Sequence, residues 1–213
     1  MSNHPDNDVL AGTVREADGA AIMSRLTTRQ WQCRLITPSH RLSDEITKAA
    51  ATLSDFIEEM AHGTAEAVGF GYEITPDAPN TYEALAAACE RSATTGAPLP
   101  ISSENSDAVI YTNSDVNFAL RFWHDVNHVR RHLDFGLVDE LELSLWHLSE
   151  LEKAGHPRGS LAWRLLHADL TGQAYVQAFA RRFPFDQRRF VTGCVTAGFD
   201  HGLLAELRSG GTA

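Results

Sequence analysis

The chain has 213 residues, 43% of them hydrophobic, and a formal net charge of −10. This length and composition suit one compact domain with a substantial core, and the acidic balance argues against non-specific binding to nucleic acid or to an anionic membrane. No stretch approaches the roughly 18 apolar residues of a membrane span, and the polar N-terminal segment lacks the pattern of an export signal, so we expect a soluble cytoplasmic protein.

The first half of the sequence predicts one long helix, one shorter helix and several short extended segments. Residues 1–28 are rich in Asn, Asp, Gly and Ala with little periodicity, which predicts a flexible arm. Apolar residues at helical spacing and short runs of β-favouring residues predict the rest. In chain order we expect a strand at 31–37, a helix at 43–67, a strand at 68–75, a helix at 81–91, a loop at 96–106 and a strand or extended connector at 108–112.

The second half predicts four helices. Ser114 or Asp115 is expected to cap the start of the first helix, which carries an apolar stripe that includes Phe118 and Phe122. The others lie at about 138–153, 160–182 and 186–207, with a flexible tail at 209–213, although Gly193 and Gly198 weaken the pattern of the last helix. The sequence therefore predicts a mainly α protein: a single helical metal-binding domain over 29–208, with a few short strands or extended segments in its first half.

Three histidines at four-residue spacing are the most informative motif. His124, His128 and His132 follow one another on the predicted helix, with Asp125 beside the first. On an α-helix these side chains fan across an arc of about 100°, so they can converge on one metal ion. Arg121 lies on the same face. His132 is at the far edge of the arc and is the weakest candidate.

Other helices offer further candidate ligands. Glu140 and His147 share one side of the next helix, and Asp169 shares a face with Gln173 on the helix after it. An aspartate on an apolar face is costly to bury unless it is paired or coordinated. Each also has a structural explanation, since Glu140 suits a first helical turn, His147 suits a hydrogen-bonded core, and Asp169 could accept from an arginine.

Two further features are less specific. His62 lies on the polar side of the long early helix, where solvent exposure is the default and ligation is the alternative. Arginines bracket residues 183–186 in an otherwise acidic protein, and guanidinium groups bind phosphate through their fork geometry. Arg181 and Arg182, together with Gln173, are therefore candidate substrate-binding residues; helix-end arginines that pair with carboxylates are the alternative. Trp123 and Trp146 directly precede candidate histidines, and core packing is favoured over a pocket for both.

The pair His124-Asp125, with His62 before it and Asp169 after it, resembles the H…HD…D arrangement of the HD superfamily of metal-dependent phosphohydrolases. The resemblance covers scattered residues over about half of the chain. It implies an all-helical enzyme that hydrolyses a nucleotide or another small phosphorylated substrate with metal-activated water. His128 would then support the ligands or contact the substrate.

A competing resemblance is to the zincin metallopeptidases, whose H-E-x-x-H helix corresponds to His124-Asp125-Val126-Asn127-His128, with Glu140 as a third ligand and Asp125 in place of the usual glutamate base. A helical di-iron oxygenase and a non-enzymatic helical interaction protein stay open as well. Every enzymatic interpretation needs a divalent ion, namely zinc, manganese, magnesium or iron. Asp125, Glu140 and Arg121 are the candidate catalytic residues, and a homo-oligomer is left open.

Overall fold

Seven helices and one small sheet make up the part of the chain that the structure, a computed structural model, describes, which is residues 38–209. In chain order they are α1 (His40–Val68), β1 (Tyr72–Thr75), α2 (Tyr82–Thr95), β2 (Leu99–Ser102), α3 (Ser114–Arg131), α4 (Leu137–Lys153), α5 (Leu161–Ala180), α6 (Gln187–Ala197) and α7 (Phe199–Ser209). The mainly α prediction is confirmed. The predictions for residues 1–28, 31–37 and 210–213 lie outside the described residues.

The long helix α1 forms one wall of the core. The hydroxyl of Ser39 caps its start by accepting from the backbone N–H of Leu42, so the helix begins three residues before the predicted Ser43. Its apolar side, which includes Leu53 and Ile57, is fully buried. This side packs on α3 and α5, and α5 in turn packs on α4 and α6. Of the two helices that carry the histidine motif and Glu140, α3 thus packs on α1, and α4 packs on α5.

The sheet consists of β1 and β2, which pair in parallel with Tyr72 opposite Leu99. Helix α2 connects the strands, as parallel pairing requires a crossover. The sequence predicted a loop over 96–106, and this is wrong for β2, because Leu99 and Ile101 alternate with partly exposed residues and are fully buried. Pro100 and the serines that follow are typical of loops, so the sequence does not indicate this alternation of buried and exposed positions.

Two other boundaries differ from the prediction. Asn113, rather than Ser114 or Asp115, caps α3, with its side-chain oxygen accepting from the N–H of Val116 at 3.1 Å. The predicted helix at 186–207 is two helices, since Gly198 has φ 99° and ends α6 before α7 begins. Residues 108–112 form an irregular connector and not a strand.

Among residues 38–209 no helix combines the length and the apolar character that crossing a membrane would need.

Candidate metal centre

A tight turn between α3 and α4 brings His124, His128 and Glu140 together. His132 ends α3 in the left-handed conformation with φ 58°, and the N–H of Leu133 donates to the carbonyl oxygen of His128 at 3.0 Å. The chain reverses over the next few residues and α4 starts at once. Glu140, in the first turn of α4, consequently faces the last turns of α3.

The ligand atoms of these three residues lie close enough to share one ion. Nε2 of His124 is 2.9 Å from Nε2 of His128 and 3.3 Å from Oε2 of Glu140, and Nε2 of His128 is 3.5 Å from Oε1 of Glu140. With metal–nitrogen bonds of about 2.0–2.1 Å, neighbouring ligands are about 3.3 Å apart in a tetrahedral site and about 2.9 Å apart in an octahedral site. His124, His128 and Glu140 could hold a metal ion without rearrangement of the helices.

The orientation of His128 is fixed by the turn. Its Nδ1 lies 3.0 Å from the carbonyl oxygen of Leu133, and because a carbonyl only accepts, Nδ1 must carry the proton. The lone pair of neutral His128 is then on Nε2, which faces His124 and Glu140. A second hydrogen bond that sets the tautomer in this way is typical of metal-binding histidines. The side chain is only 1% exposed, and the ring of Phe135 packs against it with centroids 5.0 Å apart.

His147 lies behind His124 and not among the three ligand atoms. Its Nε2 is 3.2 Å from Nδ1 of His124, the ring nitrogen opposite the one that faces Glu140. Trp123 and Trp146 enclose His147, with ring centroids 4.0 and 4.9 Å away. Burial holds the pKa of His147 well below its ordinary value, and the positive charges nearby lower it further. A neutral His147 can accept a hydrogen bond from Nδ1 of His124 and so orient that ring.

Glu140 and His124 each favour the charged form of the other. Burial alone would raise the pKa of Glu140, but its hydrogen bonds and attraction to His124 and His128 outweigh burial and hold the pKa well below the ordinary value. Burial opposes protonation of His124, and Glu140 reverses this, so the pKa of His124 is raised. Glu140 is therefore ionised at neutral pH, as a metal ligand must be.

Asp125 and Arg121 lie beside this group on α3. Burial raises the pKa of Asp125, although the charges of His124, His128 and Arg121 oppose that increase. Arg121 donates from Nη1 to the carbonyl oxygen of Ser102 at 2.7 Å, and burial lowers its pKa. Asp125 is thus within electrostatic reach of the three potential ligands, and Arg121 is within reach of Asp125. The group of three potential ligands does not include Asp125.

Asp169 lies in a buried cluster outside the group of three potential ligands, although its charge contributes to the raised pKa of His124. Its Oδ2 accepts from the hydroxyl of Tyr111, and its Oδ1 accepts from the side-chain amides of Gln173, at 2.6 Å, and Gln187. Burial raises the pKa of Asp169 although all three donors favour the charged form. The cluster explains how an aspartate can be fully buried without a metal. The predicted residues Asp169 and Gln173 therefore lie together, but their polar atoms are engaged with each other, with Tyr111 and with Gln187.

The remaining candidates lie elsewhere. His62 is exposed and pairs with Glu66 at 3.2 Å on the same helix. Arg182 binds both the carboxylate and the carbonyl oxygen of Glu206, and Arg181 ends α5 with φ 56°. The structure brings none of His62, Arg181 and Arg182 into the group of three potential ligands.

Sequence reasoning missed Tyr111 and Gln187. Tyr111 belongs to the irregular connector, and Gln187 opens α6, so neither shows a local pattern that marks it as polar and buried. The lone Asp169 on an apolar face was the available signal that some partner had to exist.

Comparison of the chain with protein-family models, with curated proteins and with solved structures finds no match. The two family resemblances therefore stay hypotheses.

Proposed function

We propose that this chain is a metal-dependent hydrolase whose single divalent ion is bound by His124, His128 and Glu140. The observation that carries the proposal is the convergence of their three ligand atoms within 4.8 Å of one another. Two histidines and a glutamate are one of the ligand sets of catalytic zinc, in which the remaining position of the ion is left for water or substrate. Zinc is therefore the ion that we propose.

The order of the ligands along the chain fits the zincin-like alternative better than the HD arrangement. His124 and His128 are one turn apart on one helix, and Glu140 follows on the next, whereas the HD arrangement needs His62 and Asp169, which pair with other side chains. A mainly helical chain with a two-stranded sheet departs from the zincin scaffold. We therefore propose hydrolytic chemistry with a zincin-like ligand order on a helical fold.

Asp125 is the residue that we propose as the base. It follows a ligand directly, and His124, His128 and Glu140 all influence the pKa of its carboxyl group. A bound zinc ion would supply hydroxide at neutral pH, because it lowers the pKa of its water to about 7. A carboxyl group whose pKa is raised by burial holds a proton more readily than an exposed carboxyl group, which suits it to accept and return a proton. The positive charge of Arg121 opposes the effect of burial and favours the ionised form of Asp125.

The other candidate functions are less well supported. A helical di-iron centre typically uses four carboxylates and two histidines, and the group found here has one carboxylate. A purely structural zinc site is usually closed by four protein ligands, and three are grouped in the part of the chain that is described. The arginines expected to bind phosphate offer no support for a phosphorylated substrate, since Arg182 binds Glu206.

Metal analysis is the first test. Protein purified without chelator, and after reconstitution with zinc, should contain about one ion per chain by mass spectrometry of the elements. Substitution His124→Ala should remove it. His62→Ala is the matched control, because the HD arrangement requires His62 and our proposal does not. Loss of metal from the His62 variant with retention in the His124 variant would contradict the ligand assignment.

Hydrolysis is the second test. The zinc-loaded protein is assayed with phosphate esters, carboxylic esters and short peptides, which also identifies the bond that is cleaved. We expect Asp125→Asn to lose about 100-fold or more in kcat while it keeps its zinc, since general base catalysis contributes about 10²–10⁴-fold. Asp115→Asn, in the first turn of the same helix, is the control. Full activity of the Asp125 variant would refute its role as the base, and a zinc-loaded wild type inactive on the whole panel would refute the hydrolase.

A further inference from the structure

A groove of about 700 Å³ runs along α1 and α3 on the side that carries His62. Its volume falls in the range of roughly 300–1,000 Å³ that is typical of sites for small molecules. The groove is lined on α1 by Glu59, Met60, His62, Gly63, Thr64 and Glu66, on α3 by Trp123, Asn127, Arg130 and Arg131, and on α4 by Trp146. None of the three proposed metal ligands belongs to this lining, so the groove is a separate candidate site.

The two walls of the groove carry opposite charges. Glu59 and Glu66 are on α1, and Arg130 and Arg131 are on α3. The charges do not neutralise one another across the groove: within residues 38–209 the structure has six ion pairs, and the only one that involves these four residues joins Glu66 to its neighbour His62. An anionic wall and a cationic wall therefore both face whatever enters.

The floor of the groove offers an aromatic surface. The guanidinium group of Arg131 lies over the ring of Trp146, 3.8 Å from its centroid, which holds that charge at the groove. Trp123 is fully buried and packs against Trp146, with ring centroids 5.7 Å apart. A bound molecule would therefore lie over an aromatic floor between the two charged walls.

We propose that this groove binds a short peptide by both of its free termini, with the ammonium group at Glu59 and Glu66 and the carboxylate at Arg130 and Arg131. A tripeptide of small residues has an extended length of about 10–11 Å, and a groove of about 700 Å³ has room for it. The proposal is independent of the hydrolytic function.

Fluorescence and calorimetric titration test this with trialanine as the probe, because Trp123 and Trp146 report on the groove. We expect trialanine to bind, and N-acetyl-trialanine and trialanine amide each to bind about two- to fivefold more weakly, which is the contribution of one exposed ion pair. Arg130→Gln and Glu59→Gln should each weaken trialanine to a similar extent.

The controls make the outcome decisive. Arg130→Gln should leave the affinity for trialanine amide unchanged, because that peptide lacks the carboxylate, and Glu59→Gln should leave N-acetyl-trialanine unchanged. Arg91→Gln and Glu90→Gln, on α2 and outside the groove, should change nothing. Absence of binding at about 10 mM trialanine, or equal affinity for the free and blocked peptides, overturns the proposal. If trialanine amide binds more weakly than trialanine and N-acetyl-trialanine does not, the groove binds only the carboxylate, and binding by both termini is overturned.

Discussion

Replacement of Glu140 by glutamine tests the metal centre directly. The substitution keeps the size of the side chain but removes the negative charge that lies 3.3 Å from His124 and 3.5 Å from His128. A neutral amide is a poor ligand for zinc, so the three-ligand set is reduced to two. Because the carboxylate also pairs with both histidines in the metal-free protein, the informative quantity is the change in melting temperature on addition of zinc, and not the melting temperature itself.

The magnitude follows from linkage. Zinc at 100 times its dissociation constant stabilises the native state by about 2.7 kcal/mol, and for a chain of 150–250 residues each kcal/mol raises the melting temperature by about 2–4 °C. We therefore expect zinc to raise the melting temperature of the wild type by about 5–11 °C. If Glu140→Gln weakens binding about 100-fold, the same zinc concentration adds only about 0.4 kcal/mol, or about 1–2 °C.

Scanning calorimetry or a thermal shift assay at pH 7, with a chelator-treated reference, gives both values. Glu142→Gln is the matched control, because Glu142 is exposed on the same helix and lies outside the ligand group. It should keep the full zinc-induced shift. A shift that survives in the Glu140 variant, or that is lost equally in the Glu142 variant, would show that this carboxylate does not bind the ion.

Three further predictions concern pH, packing and the buried aspartate. Because the pKa of His147 is lowered, its contribution to the stability of the metal-free protein is present above the unfolded pKa of about 6.5 and is lost as the pH falls, by at most about 1.4 kcal/mol per pH unit. In His147→Gln, the free energy of unfolding, measured with denaturant, should therefore fall less between pH 7 and pH 5. An unchanged slope would contradict a buried neutral imidazole. Gly202→Ala should lower the free energy of unfolding, measured with denaturant, by about 1–3 kcal/mol, because a Cβ there would lie 2.6 Å from the backbone of Cys194. Gly63→Ala should raise it by up to about 1 kcal/mol, because a Cβ at Gly63 would meet no atom within 4 Å and alanine favours the helix. Asp169→Ala should destabilise the protein by about 3–5 kcal/mol, because it leaves the buried donors of Tyr111, Gln173 and Gln187 without an acceptor. Asp169→Asn should destabilise it clearly less. Equal losses of stability in the two variants would argue against the hydrogen-bond cluster.

The helices and the centre of the site could be predicted because their signals are local. The four-residue step between His124 and His128 fixes their shared face once the helix is recognised, and that depends only on the periodicity of α3. Glu140 could be proposed because the turn before it is short. Such features depend only on residues close together in the chain, so they can be recognised from the sequence.

The parts that could not be predicted depend on contacts between distant segments. Strand β2 exists because it pairs with β1, and nothing within its own four residues indicates that partner. Asp169 could be recognised as anomalous, but Tyr111 and Gln187 approach it only after the connector and α6 are packed. His62 shows the opposite case. Its residue type suits a metal ligand, but it pairs with Glu66 beside the groove, and the group of three potential ligands does not include it.

The position of the ligand group between two packed pairs of helices has a consequence for local opening. Helix α3 packs chiefly on α1 and α4 chiefly on α5. Helices α3 and α4 meet through the ligand group and, farther along α4, through the contacts of Trp146 and His147 with Trp123. An ion held by His128 and Glu140 would tie the two pairs together at the first turns of α4. In the metal-free protein, amide protons of the first turns of α4 should therefore exchange with solvent through an opening that leaves α5 intact, and zinc should close that route without altering exchange in the interior of α1.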